Sequence, residues 1–139
     1  MGRSAAKKRI LVVEDEALIA WLLGDALERH GYVVVGPAAT QSAALELVER
    51  ERPQMAIVDV GLKEGDGISA AEQMIRSGVD VLFVTAHASD LVAECGLRTG
   101  VVSKPVDPDT VADAIRAVSH FMRTGEVPRW APSALTIIQ

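Results

Sequence analysis

Residues 9–15 read RILVVED, and the same grammar returns as MAIVD at 55–59, VLFVT at 81–85 and GVVSKP at 100–105. Each stretch is a short apolar run closed by a polar residue of a different kind. Apolar runs without polar alternation, rich in Val, Ile and Leu, suit strands covered on both faces, as in a parallel sheet. In such sheets ligands bind outside the carboxyl ends of the strands. The reading therefore gathers three carboxylates (Glu14, Asp15, Asp59), a hydroxyl (Thr85) and an ammonium (Lys104) around one cleft. That inventory suits a divalent cation and a phosphoryl group.

Working outward, the segments between these runs carry helical signals. The first strand covers about 9–13. A first helix follows over about 16–30, with Leu18, Ile19, Leu22, Leu23, Ala26 and Leu27 on its inner face and Gly31 at its end. The second strand runs from Tyr32 to about Val35 and stops at Gly36-Pro37. A second helix spans about Gln41–Arg52, with Thr40 as N-cap and Ala44, Leu45, Leu47 and Val48 inward. Pro53 separates it from the third strand, about 55–59. The loop Gly61–Gly65 leads to a third helix from Asp66, with Ile68, Ala71, Met74 and Ile75 at helical spacing before Gly78.

A fourth strand covers about 79–84, a short fourth helix about 89–95, and a fifth strand about 100–103. The fifth helix, about 108–122, has Pro108 in its first turn and Val111, Ile115, Val118 and Met122 on one stripe. Five βα units in this length predict an α/β fold: a doubly wound, five-stranded parallel sheet of flavodoxin-like type. Its expected strand order is 2-1-3-4-5, with right-handed crossovers and helices on both faces.

The 139 residues have room for one domain. Residues 1–8 read as a basic leader, 9–123 as the folded domain and 124–139 as a C-terminal tail. A net charge of −5 argues against direct binding of nucleic acid. Cys95 is the single cysteine, so an internal disulfide is excluded and a reducing compartment fits. No apolar run approaches the roughly 20 residues a membrane helix needs, so no membrane insertion is expected and the location is read as cytoplasmic. The tail, TGEVPRWAPSALTIIQ, is read as packing on the domain or contacting a second copy by edge pairing, with fraying as the alternative.

The cleft residues divide the chemistry among them. Glu14 and Asp15 are hard oxygen donors of the kind Mg²⁺ prefers. Three carboxylates placed together repel one another, and a dication relieves that repulsion. Asp59 is the candidate nucleophile, forming an aspartyl phosphate. Lys104 supplies a point charge and Thr85 a hydroxyl to the phosphoryl oxygens. Singly, each has a plainer reading: helix-dipole charge for the acidic pair, a cap or turn for Asp59 and Thr85, a surface turn for Lys104-Pro105. Their joint occurrence at successive strand ends favours function.

In this order and placement, Glu14/Asp15, Asp59, Thr85 and Lys104-Pro105 resemble the receiver domain of two-component response regulators, over roughly residues 9–122. The GDG turn (65–67) and the wording EDEALIA…GYVVVGPA are similar to stand-alone bacterial receivers. The resemblance implies that Asp59 accepts a phosphoryl group from a histidine kinase or a histidine phosphotransfer protein. It also implies Mg²⁺ on Glu14, Asp15, Asp59 and the backbone carbonyl of Gly61, with phosphoryl oxygens on Thr85 and Lys104. Output would pass to a downstream protein of unknown identity, or to a homodimer through the face of the fourth helix, fifth strand and fifth helix, or through the tail. The two positions that tune hydrolysis of the phosphate fall on Gly61 and His87. Such a module is not an enzyme beyond its own phosphorylation and dephosphorylation.

The chain departs from the family in two places. Val101 stands where many receivers carry an aromatic residue, so no ring can swing there, and Lys63 stands where a proline is usual. These departures motivate the alternative of a pseudo-receiver, an interaction module independent of phosphate. A phosphatase of the aspartyl-nucleophile type needs a second carboxylate two residues after the nucleophile, and Gly61 occupies that place. An output domain removed from the chain is a further alternative. Elsewhere, His30 reads as a helix C-terminal charge, His120 as a solvated residue and Cys95 as packing. Trp21 reads as peripheral packing at the border of the first helix, with an exposed docking spot beside Ala20 as the alternative.

Overall fold

The computed structural model describes residues 7–86 and 96–138. The sheet is built on four strands that follow the four apolar runs: β1 (Arg9–Val13), β3 (Met55–Val58), β4 (Asp80–Thr85) and β5 (Thr99–Ser103). Nearly every residue of these strands is buried, which explains why their sequences show no alternation. With β2 (Val33–Ala38) the parallel order is β2-β1-β3-β4-β5, as the sequence implies.

Two features of the sheet correct the sequence reading. The second strand does not stop at Gly36-Pro37: it starts one residue after Tyr32 and continues through a cis Gly36–Pro37 peptide to Ala38. The pairing with β1 shifts between Leu11 and Val13 to absorb the irregularity. An edge strand tolerates a proline there, because the missing N–H is not needed by a second neighbour. The sheet also has six strands rather than five among the described residues. The tail supplies β6 (Thr136–Ile138), which pairs antiparallel with β5 and closes that edge.

Among the described residues, four helices cover the two faces. On one side α1 (Ala17–Arg29) and α4 (Pro108–Thr124) pack with Ile10, Val12, Ile57 and Val84; on the other α2 (Gln41–Glu51) and α3 (Gly67–Arg76) pack with Leu11, Val58 and Phe83. The helix expected over 89–95, Cys95 and His87 lie outside the described residues. Caps set the helix starts: Thr40 accepts from Ala43 N, Asp66 from Ile68 N and Asp107 from Asp109 N. Gly125, in the left-handed conformation, ends α4.

The inner face of α1 differs from expectation. Ala20, Leu23, Gly24, Ala26 and Leu27 are buried, whereas Leu18 is 71% exposed, Trp21 65% and Leu22 39%. Trp21 is therefore not packed under the helix, and Ala20 is not an exposed companion. His30 does more than cap α1: its ring meets Asp109 at 2.9 Å and so ties the end of α1 to the start of α4. His120 is half-buried and packs edge-on against Trp130. No helix among the described residues is long and apolar enough to cross a membrane.

Candidate functional site

The sheet register explains how distant residues converge. Val13 pairs with Val58 and Val58 with Phe83, while Thr85 pairs with Ser103. Residues at the ends of these strands therefore reach one edge together. Backbone hydrogen bonds to neighbouring strands fix three of them: Glu14 N to Ala38 O, Asp59 N to Val13 O, and Lys104 N to Thr85 O.

At that edge the Lys104 ammonium donates to Glu14 Oε1 at 2.7 Å and to Asp59 Oδ2 at 3.0 Å. Each of Glu14, Asp15 and Asp59 offers a carboxylate oxygen, and these oxygens lie within 4.8 Å of one another. Glu14 and Asp59 are buried, Thr85 is fully buried at the end of β4, and Asp15 is half-buried. Three hard anionic donors this close, with one ammonium among them, fit Mg²⁺. The second carboxylate oxygen of Asp59 accepts from Gly61 N at 3.0 Å, and Glu14 accepts from Glu16 N at 3.1 Å.

Charge is balanced unevenly here. Burial holds the Glu14 carboxyl above the usual glutamate range, and the negative charge of Asp59 pushes the same way against the Lys104 hydrogen bond. Burial works to lower the Lys104 ammonium, but its bonds to Glu14 and Asp59 outweigh this and leave its pKa raised. Among the described residues, one ammonium faces three carboxylates, which leaves the cleft short of positive charge.

The loop between β3 and α3 is held by contacts that the sequence does not reveal. Lys63 N donates to Asp15 Oδ2 at 2.7 Å, a bond that a proline could not make. Gln41 Oε1 accepts from Asp66 N at 2.8 Å and its amide reaches Ser69 Oγ at 3.3 Å, so the start of α2 fastens the start of α3. Gly67 lets α3 approach the loop: a Cβ there would lie 2.2 Å from Asp59 O and 2.8 Å from Val60 Cα. The only sequence signal for Gly67 was the GDG turn; nothing in the sequence pointed to Gln41.

Beside Lys104 lies a largely apolar cavity of about 450 Å³, lined by Ile19, Leu22, Leu23, Val84, Ala86 and Pro105 among others. Leu22 shares the exposed face of α1 with Leu18 and Trp21, and Trp21 lines a separate groove beside Val34 and Pro37. Val101 is buried at the centre of β5, between Phe83 of β4 and Thr136 of β6. The structure thus brings Glu14, Asp15, Asp59 and Lys104 within hydrogen-bonding or ligating distance, sets Thr85 at the same edge and leaves Val101 in the sheet interior.

Residues 10–116 match the response regulator receiver domain family. Among curated proteins, the chain is 33% identical over 116 residues to the transcriptional regulatory protein PdtaR of Mycobacterium tuberculosis, covering 83% of this chain and 57% of the relative. Among solved structures, a CheY-like response regulator receiver domain protein from Methanospirillum hungatei superposes with a TM-score of 0.72 at 28% identity, covering 85% and 98% of the two chains. A response regulator protein from Burkholderia pseudomallei, with a phosphorylated aspartic acid, calcium ion and citrate, superposes with a TM-score of 0.69 at 25% identity, covering 86% and 73%. The chain spans about half the length of the first curated relatives it matches.

Proposed function

Because the chain belongs to the response regulator receiver family, we propose that it is a phosphorylation-operated switch in which Asp59 is the phosphoacceptor. The observation that carries this reading is the placement of Asp59: a buried carboxylate at a strand end, 3.0 Å from an ammonium and clustered with two further carboxylates. In the proposed step an Asp59 carboxylate oxygen attacks the phosphorus of a phosphohistidine on a kinase or phosphotransfer protein. The new O–P bond forms as the P–N bond breaks, and the imidazole nitrogen leaves with its electron pair.

Lys104 sits where its positive charge would meet the phosphoryl oxygens, and Thr85 is positioned at the same edge to offer its hydroxyl. Glu14, Asp15, Asp59 and the Gly61 carbonyl are the groups that would hold Mg²⁺, which when bound neutralises the negative charge gathered in the cleft. Gly61 and His87 are the positions proposed to govern hydrolysis of the aspartyl phosphate. The phosphorylated aspartic acid and calcium ion named for the Burkholderia protein support the same chemistry on this fold.

The phosphodonor needs a place to dock, and Leu18, Trp21 and Leu22 form an exposed apolar ridge on α1 next to the cavity beside Lys104. A ridge at i, i+3, i+4 spacing suits a partner helix laid alongside it. Output is proposed to pass through protein contacts to a downstream partner or as a phosphate relay.

The test is intact mass after incubation with Mg²⁺ and a small phosphodonor, alongside Asp59→Asn. One phosphoryl adduct on the native chain and none on the variant is the expected result. Absence of any adduct on the native chain would replace the switch by a phosphate-independent interaction module.

A further inference from the structure

The tail occupies the sheet edge through which a change at Lys104 would leave the site. Strand β6 pairs with β5 at Thr99↔Ile138, Gly100↔Ile137 and Val101↔Thr136, and Lys104 lies three residues beyond the last of these pairs. The seat is shaped for this segment. Ile138 is buried with Val101 and Phe83 on one face, while Leu135 and Ile137 pack on the other. A side chain at Gly100 would collide with Leu135 Cδ1 at 2.9 Å as well as with Val118, so the bare backbone of Gly100 is part of the seat.

Further back, Trp130 lies on α4, with the Arg116 guanidinium 3.9 Å from its ring centroid and His120 edge-on at 6.2 Å. Two turns, Ala131 N to Pro128 O and Leu135 N to Pro132 O, link the tryptophan to the strand.

From this geometry we propose that residues 128–138 are a displaceable occupant of a strand-binding groove on β5, and that a phosphoryl group on Asp59 loosens them so that the same segment of a second copy takes their place. The proposal rests on the phosphorylation reading above. Lys104 now divides its bonds between Glu14 and Asp59. A phosphoryl group at Asp59 draws the Lys104 ammonium and the Thr85 hydroxyl toward itself, and Lys104 N is already bonded to Thr85 O, so the ends of β4 and β5 shift together. β6 is paired along three residues and on one side only, whereas β5 and β4 pair along four. The shorter pairing yields first. The arm from Gly125 to Leu135 would reach about 35 Å when extended, enough to cross to a neighbouring copy. The chain's own segment is tethered at Gly125 and strains when β5 shifts, whereas a segment free of that tether follows β5 and makes the contacts the tail makes at home.

The experiment uses the full chain, Mg²⁺ and a fluorescently labelled peptide of residues 128–139, with anisotropy read with and without a small phosphodonor and intact mass taken in parallel. The expected result is at least tenfold tighter peptide binding with the phosphodonor. The gain should be lost in Asp59→Asn and in a peptide with Leu135→Asp and Ile137→Asp. An adduct with unchanged peptide affinity overturns the groove while leaving the switch intact; no adduct overturns both. A full-chain Ile137→Asp variant, checked for folding by circular dichroism, should bind the peptide without phosphodonor. A folded variant that binds no better than the native chain also overturns the proposal.

Discussion

Lys63 shows how a departure from a family pattern acquires a physical meaning at the scale of one residue. Its side chain is exposed, but its backbone N–H holds Asp15 Oδ2 at 2.7 Å and so sets the orientation of one proposed metal ligand. Bonds that orient a ligand from behind typically account for about tenfold or more in metal affinity. Lys63→Pro should therefore weaken Mg²⁺ binding by about tenfold, read by titration calorimetry. Lys63→Ala, which keeps the N–H, should bind Mg²⁺ like the native chain. Equal affinity in all three proteins would show that the bond does not prepare the site. The sequence named Glu14, Asp15, Asp59, Thr85 and Lys104 because their chemistry resides in side chains at strand ends. It could not name the Lys63 amide, because every residue except proline carries one and only the path of the loop decides which is aimed at a carboxylate.

At the scale of elements, the four apolar strands and the inner faces of α3 and α4 are legible in the sequence, and the inner face of α1 is not. The four apolar runs mapped onto strands because burial on both faces admits few other residues. Helix α1, in contrast, carries LIAWLL without a break from Leu18 to Leu23, so periodicity alone does not choose its inner face. The choice falls on Ala20 and Gly24, whose small size lets the helix lie close to the sheet, and this turns Leu18, Trp21 and Leu22 outward. Trp21→Asp should consequently slow phosphoryl transfer from a histidine phosphotransfer partner by about tenfold, as expected for an aromatic anchor. Labelling by a small phosphodonor should be unchanged. Equal slowing with both donors would place the effect in the fold rather than in docking. The approach of α3 to the Asp59 loop gives a second expectation. Gly67→Ala puts a methyl 2.2 Å from Asp59 O, a backbone atom that cannot turn aside. The cost should be about 2 kcal/mol in urea denaturation, accompanied by slower self-phosphorylation because Asp59 is displaced. A neutral substitution would mean that the loop relaxes freely.

For the whole molecule, the question is where the cooperative unit ends. Composition sets the tail apart from the domain, with two prolines and then a short apolar end, and is compatible with fraying, with pairing to the chain's own surface or with pairing to another copy. Three residues of strand carry too weak a pattern to specify an edge, and the edge itself exists only once five other strands have assembled. In the structure Ile138 is 8% exposed and shares a cluster with Val101, Phe83 and Val81, so the tail contributes to the same core that positions β5. Truncating that side chain removes buried methyl groups at the rim of the core, where partial collapse is easier than at its centre. Ile138→Ala should thus lower stability by about 2 kcal/mol, at the low end for a buried isoleucine, with an unchanged dependence on urea concentration because the folded state keeps its compactness. A loss under about 0.5 kcal/mol, the range of ordinary surface changes, would mean that β6 opens well below the global transition and the domain is held together without it. A tail at that low-stability end is displaced at little cost. One that contributes the full amount stays seated until a shift of β5 strains its pairing, as the proposed exchange requires.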